Sequence, residues 1–339
     1  MKAAVLLALR VCGVNRIIHM AGRVKQWFAM AGDRGANNFV AGQQAAIVTY
    51  HAVGRVAANP LISKNVHNVV PDVFRVQIVT LGCGVQILPL ETIMRRIVLG
   101  RSTSGLAALT FDDGYRSVFE HAIPLIEELR VPATLFVTTS LAEGKVFWRD
   151  KVRWVINEGH IERFLAFARQ HDARFEGVSA ENFYFATKDP AIISSRMVDE
   201  MLDRYFDNEG IEMASSGLYC TIDDLKRCES KYLTFGVHGH NHYVLSTLSR
   251  EEQREDIVRS EEILDDAGIP RSRMFSVPNG GMRDINEDTL SVLRELGYAG
   301  YLMCAGYRAC DIWDGKGVPQ KDGDLWRLQR YMPKNEAPA

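Results

Sequence analysis

Apolar residues fall along this chain in short unbroken runs separated by stretches of helical period. Ala45-Ala-Ile-Val-Thr-Tyr50, Val85 to Leu90, Ala107 to Phe111, Ala133 to Thr138, Leu233 to Val237, Met274 to Val277 and Tyr298 to Met303 each read as a strand. A run that is apolar on both faces is what a sheet covered on both sides requires. Between these runs, Glu91 to Leu99 with Gly100 as its stop, Val118 to Leu129 and Asp288 to Leu296 read as helices. Two helix starts carry capping-box patterns: Thr221-Ile-Asp-Asp224, with Asp where Glu or Gln is preferred, and Ser249-Arg-Glu-Glu252, opening a helix to about Ala267 that Gly268 ends. Alternating strands and helices predict an α/β fold built on a parallel sheet or barrel.

The alternation breaks between about residues 147 and 218, where Trp148, Val152, Val155 and Ile156 recur at helical spacing, followed by Ile161 to Ala168 and Met197 to Phe206. This stretch is expected to be a helical insertion in a domain spanning residues 44–335. Residues 1–43 are expected to form an N-terminal helical segment and a glycine-rich linker. Arg10 interrupts the apolar run from Ala3 to Leu9, and no clean cleavage site follows, so a signal peptide is not expected. Arg10, Arg16, Arg23 and Lys25 lie among Ile17, Ile18, Met20, Trp27 and Phe28. Such a segment either packs on the domain or rests on a membrane surface. The expected location is cytoplasmic, with peripheral membrane contact open.

Composition changes this picture little. With 47% hydrophobic and 24% charged residues in 339, the chain is of ordinary globular type. A formal charge of −2 and no sustained basic stripe argue against nucleic acid as a partner. The six cysteines (Cys12, Cys83, Cys220, Cys228, Cys304 and Cys310) show no CxxC spacing, so free thiols are expected.

The candidate chemistry lies where apolar runs end. Leu109-Thr-Phe-Asp112-Asp113-Gly114-Tyr115 closes one strand, and Phe235-Gly-Val-His238-Gly-His240-Asn-His242 closes another. One carboxylate and two imidazoles are a usual ligand set for a catalytic divalent ion, and strand C-termini of a parallel barrel share one face. Asp113, His238 and His242 are therefore expected to converge on a metal that keeps an open position for water. Asp112 is left to take that water's proton. His240 is expected to be an ordinary polar residue or to support the ligands from behind. The Asp-His-His set suits zinc first, with cobalt, nickel or iron compatible.

Taken together, Thr110-Phe-Asp-Asp-Gly-Tyr115 and His238-x-x-x-His242 resemble the first two motifs of the polysaccharide deacetylases, the NodB-homology group of carbohydrate esterase family 4. The resemblance runs from about Ile47 to Tyr331. It includes Tyr50-His51, Ala122-x-Pro124, Pro132-Ala-Thr-Leu-Phe136, Leu245-Ser-Thr-Leu-Ser249 and Phe275-Ser-Val-Pro278-Asn-Gly280. It implies a deformed (β/α) barrel, Asp112 as base, Asp113, His238 and His242 as metal ligands, and removal of acetyl from an N-acetylated glycan. The segment Pro278-Asn279-Gly280 is expected at the substrate, where a backbone N–H can polarise the acetyl oxygen. Tyr115 is expected to border the sugar groove; Trp148 is read as core of the insertion.

Three positions depart from the family pattern. Ser276 stands where an arginine often restrains the base, so that restraint is absent or comes from elsewhere. Asn279 stands at the tyrosine position, and no Leu-x-His motif closes the chain, since no histidine follows His242. The leaving amine still needs a proton. His51 is the expected replacement, resembling the Tyr-His signature of the exopolysaccharide (poly-N-acetylglucosamine type) branch; the alternative is that it only supports a ligand or the sheet edge. His67 and His121 are weaker candidates. Two other readings keep parts of the site: hydrolysis of a small non-sugar amide, or carbohydrate binding with weak catalysis.

Overall fold

The computed structural model describes residues 44–54, 68–213, 217–304 and 319–333. The segment 1–43, with its membrane-surface reading, and His67 lie outside them. Among the described residues no helix is long and apolar enough to cross a membrane.

Strands β1 (Ala46–Tyr50), β2 (Ala52–Val53), β3 (Asn68–Val69), β4 (Gln86–Ile87), β5 (Leu106–Phe111), β6 (Ala133–Val137), β7 (Leu233–Val237), β8 (Arg271–Ser276), β9 (Gly300–Met303), β10 (Gln320–Asp322) and β11 (Leu325–Gln329) follow in chain order. Nine of them make one sheet in the order β1-β5-β6-β7-β8-β9-β11-β10, with β4 beside β5. Neighbours run parallel except in the terminal β10–β11 hairpin. The sheet curls until its ends meet. Just past β11, the Tyr331 N–H donates to the Ile47 carbonyl and the Thr49 N–H to the Tyr331 carbonyl, both at 2.8 Å. The α/β fold is thus the deformed (β/α) barrel that the resemblance implied.

Side chains alternate across each strand, and one face fills the barrel. Ile47, Ala108, Phe136, Met274, Leu302 and Leu328 form an apolar layer, joined by Leu90, Ile93 and Met94 from the helix Leu90–Val98. Gly236 belongs to this packing, because a Cβ there would meet the Phe136 ring at 2.5 Å. With a period of two, the same face next presents Thr49, Thr110, Ser276 and Arg330, then His51 and Asp112. The alternation that builds the core therefore carries polar residues to the C-terminal rim.

The helices from Trp148 to Glu209 form their own core around Trp148, Phe164, Phe175, Phe183 and Tyr205. Both capping boxes are present, at Thr221/Asp224 and Ser249/Glu252. Some elements differ from expectation. The strand expected through Leu90 stops at Ile87, because Pro89 has no N–H for the ladder and instead precedes the helix. The expected helix from Val118 opens as a π-turn, with the Ile123 N–H reaching the Val118 carbonyl, since Pro124 lacks the N–H that would bond Glu120.

Candidate active site

Six strand ends deliver the site. β1 runs into His51, β5 into Asp112-Asp113-Gly114, β7 into His238, β8 through Ser276 to Asn279, β9 into Cys304 and β11 into Arg330. His51, Asp112, Asp113, His238, His242, Asn279, Cys304 and Arg330 all line one cavity of about 120 Å³. Three of them (Asp113, His242 and Asn279) sit in the left-handed region at φ 72°, 57° and 60°. Such conformations cost free energy in non-glycine residues and gather at functional sites.

The carboxylate Oδ1 of Asp113 lies 3.5 Å from Nε2 of His238 and 3.4 Å from Nε2 of His242. Those separations are long for N–H···O hydrogen bonds. They match the edge of a tetrahedron, about 3.4 Å for two ligand atoms each about 2.1 Å from a zinc ion. Asp113 Oδ1 is buried and accepts no hydrogen bond, and the three residues bring one donor atom each to within 4.8 Å of the others. His238 Nδ1 is 2.9 Å from the Ser276 carbonyl, which fixes the tautomer that turns Nε2 inward. These residues fit a divalent cation.

Electrostatics agree with that fit. Burial raises the Asp113 carboxyl, but His238, His51 and His242 outweigh it and hold it far below the carboxylate range. Burial and the neighbouring His238 push His242 down to about 3, so it is a neutral donor at physiological pH. Burial lowers His238, and Asp112 and Asp113 more than restore it.

Asp112 faces a different partner. Arg330 grips it as a fork, Nη1 to Oδ1 and Nη2 to Oδ2, each at 2.7 Å. Ser276 Oγ donates to Asp112 Oδ1 at 3.1 Å and accepts from Arg330 Nη2 at 2.9 Å. Burial raises the Asp112 carboxyl, and the Arg330 guanidinium overcomes it and keeps the group ionised. The restraint missing at Ser276 is thus supplied from β11. Sequence reading found the gap but not its filler, although Leu328-Gln-Arg330 has the Leu-x-His spacing and the inward alternation of a final strand.

Between His238 and His242 the chain is a tight loop. Asp256 accepts from the backbone N–H of His240 at 2.8 Å and of Asn241 at 3.0 Å. Gly239, at φ 75°, passes so close that a Cβ would meet Asp256 Oδ2 at 2.8 Å. The His240 side chain turns toward Thr139 Oγ1 at 3.0 Å, away from the Asp113 cluster. Trp148 donates its indole N–H to the His242 carbonyl at 3.0 Å, and Phe147 packs its ring edge-on at 4.8 Å.

The expected substrate residues divide. Asn279 lines the cavity, whereas Pro278 and Gly280 do not. Gly280, at φ 77°, instead serves close packing, since a Cβ there would lie 2.6 Å from the Cys304 nitrogen. Tyr115 lines the cavity as expected, with its ring 1% exposed and its hydroxyl facing Asp150 at 3.3 Å, as part of the wall. His51 lines the cavity; burial lowers its imidazole against the pull of Asp113 and Asp112. His121 is exposed on the π-turn, outside the cavity.

The sequence profile of the polysaccharide deacetylase family matches residues 100–163 and 194–301, half of the chain. The chain belongs to the polysaccharide deacetylase family. It is a hydrolase of carbon–nitrogen bonds, a de-N-acetylase. No curated protein sequence matches this deacetylase. Among solved structures it is similar to the Streptococcus pyogenes deacetylase PplD in complex with acetate, at 18% identity over 87% of this chain and 95% of that one, TM-score 0.54. It is also similar to a de-N-acetylase from Aggregatibacter actinomycetemcomitans, at 12% identity over 86% and 95%, TM-score 0.51. At such identities the likeness concerns the fold.

Proposed function

We propose that this deacetylase removes acetyl groups from N-acetylated sugars of a glycan, with Asp112 as base, His51 as proton donor, and Asp113, His238 and His242 holding a divalent ion. One observation carries this reading: two adjacent carboxylates face different partners, Asp113 the two imidazole nitrogens and Asp112 the Arg330 fork. A divalent cation held by the first set would supply Lewis acidity toward water and the acetyl oxygen, zinc being the ion that the Asp-His-His donor set suits first.

The chain's own residues supply the rest. Asp112, ionised and held by Arg330 and Ser276, accepts a proton from the attacking water. Asn279 places a buried side-chain Nδ2 at the cavity, where a donor stabilises charge on the acetyl oxygen. The C–N bond breaks as His51 gives a proton to nitrogen, because an amide anion is too basic to leave in water. Acetate and a free amino sugar result. The Tyr50-His51 start supports the exopolysaccharide branch.

Acetate release tests this reading. The metal-loaded protein is expected to release acetate from N-acetylglucosamine oligomers, with one new amine per acetate. Ammonia release from small amides without any acetate from glycans would contradict it.

A further inference from the structure

The cavity has a second wall, and its charge is opposite to that of the Asp112–Asp113 rim. Arg149, Arg153, Tyr184 and Lys188, all from the helical stretch after Phe147, line the same space as the Asp113 cluster. Arg153 is paired, its Nη1 meeting the buried Asp150. Yet its Nε is buried without a hydrogen-bond partner although the residue borders the cavity. Arg149 is 3% exposed and, among the described residues, donates to neutral acceptors, Thr187 Oγ1 at 2.9 Å and the Tyr184 carbonyl at 3.1 Å. Its guanidinium lies over the Tyr184 ring at 4.5 Å and the Trp148 ring at 4.9 Å. Lys188 Nζ lies 5.3 Å from the Tyr184 ring. Neither Arg149 nor Lys188 has a carboxylate within 4.0 Å among the described residues.

Pairing charges around the cavity shows the excess. Arg330 neutralises Asp112, Arg153 neutralises Asp150, and Asp113 belongs to the histidines. Arg149 and Lys188 remain without a directly paired carboxylate among the described residues, Asp150 and Asp284 acting on them only at a distance. A desolvated cation without a counter-charge is costly to keep, and burial accordingly drags Arg149 down to about 10. A bound anion relieves that cost, and a planar guanidinium suits carboxylate and phosphate oxygens. Tyr184 and Lys188 fall in residues 164–193, between the two segments that the family profile matches. Arg149 and Arg153 lie inside the first matched segment, so the wall joins a matched part of the chain to an unmatched one.

We propose that the glycan is anionic: a carboxylate or phosphate oxyanion, carried on the acetylated sugar or its neighbour, sits against Arg149 and Lys188. The inference rests on the proposed deacetylation of a glycan and narrows its substrate class. Two sources give the same chemistry, a uronic acid carboxylate or a phosphodiester.

The test compares kcat/KM for acetate release from three matched N-acetylated oligosaccharides: neutral, uronate-bearing and phosphodiester-bearing. At least a tenfold preference for one of the anionic substrates is expected, and which one is preferred identifies the source. Lys188→Gln should shrink that ratio several-fold, mainly through KM, and rising salt should do the same. Equal kcat/KM on neutral and anionic substrates would overturn the proposal while leaving deacetylation intact. Should no glycan release acetate, the proposed function fails, and calorimetric binding of the same three oligosaccharides decides the inference alone. Tighter binding of an anionic one supports it, and equal binding overturns it.

Discussion

The division of labour between Asp112 and Asp113 is set by what each side chain touches, not by the residues themselves. Arg330 is the clearest case. Arg330→Gln removes the charge that holds Asp112 below its ordinary value, so burial then raises it. In the proposed mechanism Asp112 acts ionised, so activity is lost as pH falls through its pKa. The acid limb of the pH–rate profile is therefore expected to move to higher pH in the variant; an unmoved limb would separate Arg330 from the base. His51 has its own test. His51→Ala should slow release from an N-acetyl amide by about 10²–10⁴-fold. It should slow an aryl acetate, whose leaving group needs no proton, only a few-fold; equal losses on both would remove the donor role. At this scale the sequence named the carboxylates and histidines correctly as a group that the fold brings together. It placed Tyr115 at the cavity, but an aromatic next to Asp-Asp-Gly carries no mark that its hydroxyl is tied to a buried Asp150.

Among elements, the legible ones were those whose ends carry chemistry. Both capping boxes and the strands β5 to β9 follow from caps and apolar runs, since these are local signals. The helix Pro71–Gly84 drew no assignment, because Val73, Val76, Ile78 and Val79 favour strands and only packing against the barrel makes them helical. The hairpin β10–β11 was silent for a similar reason, being short and mostly polar. Two substitutions separate stability from site geometry. Ser249→Ala should cost about 1 kcal/mol in denaturant unfolding and leave ion affinity unchanged, because it removes only a cap. Gly239→Ala should weaken ion binding at least tenfold, as its Cβ would collide with Asp256 and displace the loop holding His238 and His242. Unchanged affinity there would show that the loop tolerates the shift.

For the whole molecule, the site exists because the sheet closes. Asp112 and Arg330 are 218 positions apart, and they meet only because residues after β11 pair with β1. No local pattern contains that contact, which is why the arginine escaped a reading that had found its absence elsewhere. The helical stretch after Phe147 lines the same cavity, setting a cationic wall opposite the Asp113, His238 and His242 cluster. The central claim is that Asp112 is the base beside an ion it does not hold. Acetate release by Asp112→Asn, in protein shown to carry the same single ion per chain as the unaltered form, tests it most directly. The account predicts full ion content with acetate release reduced to background, and undiminished release would contradict it.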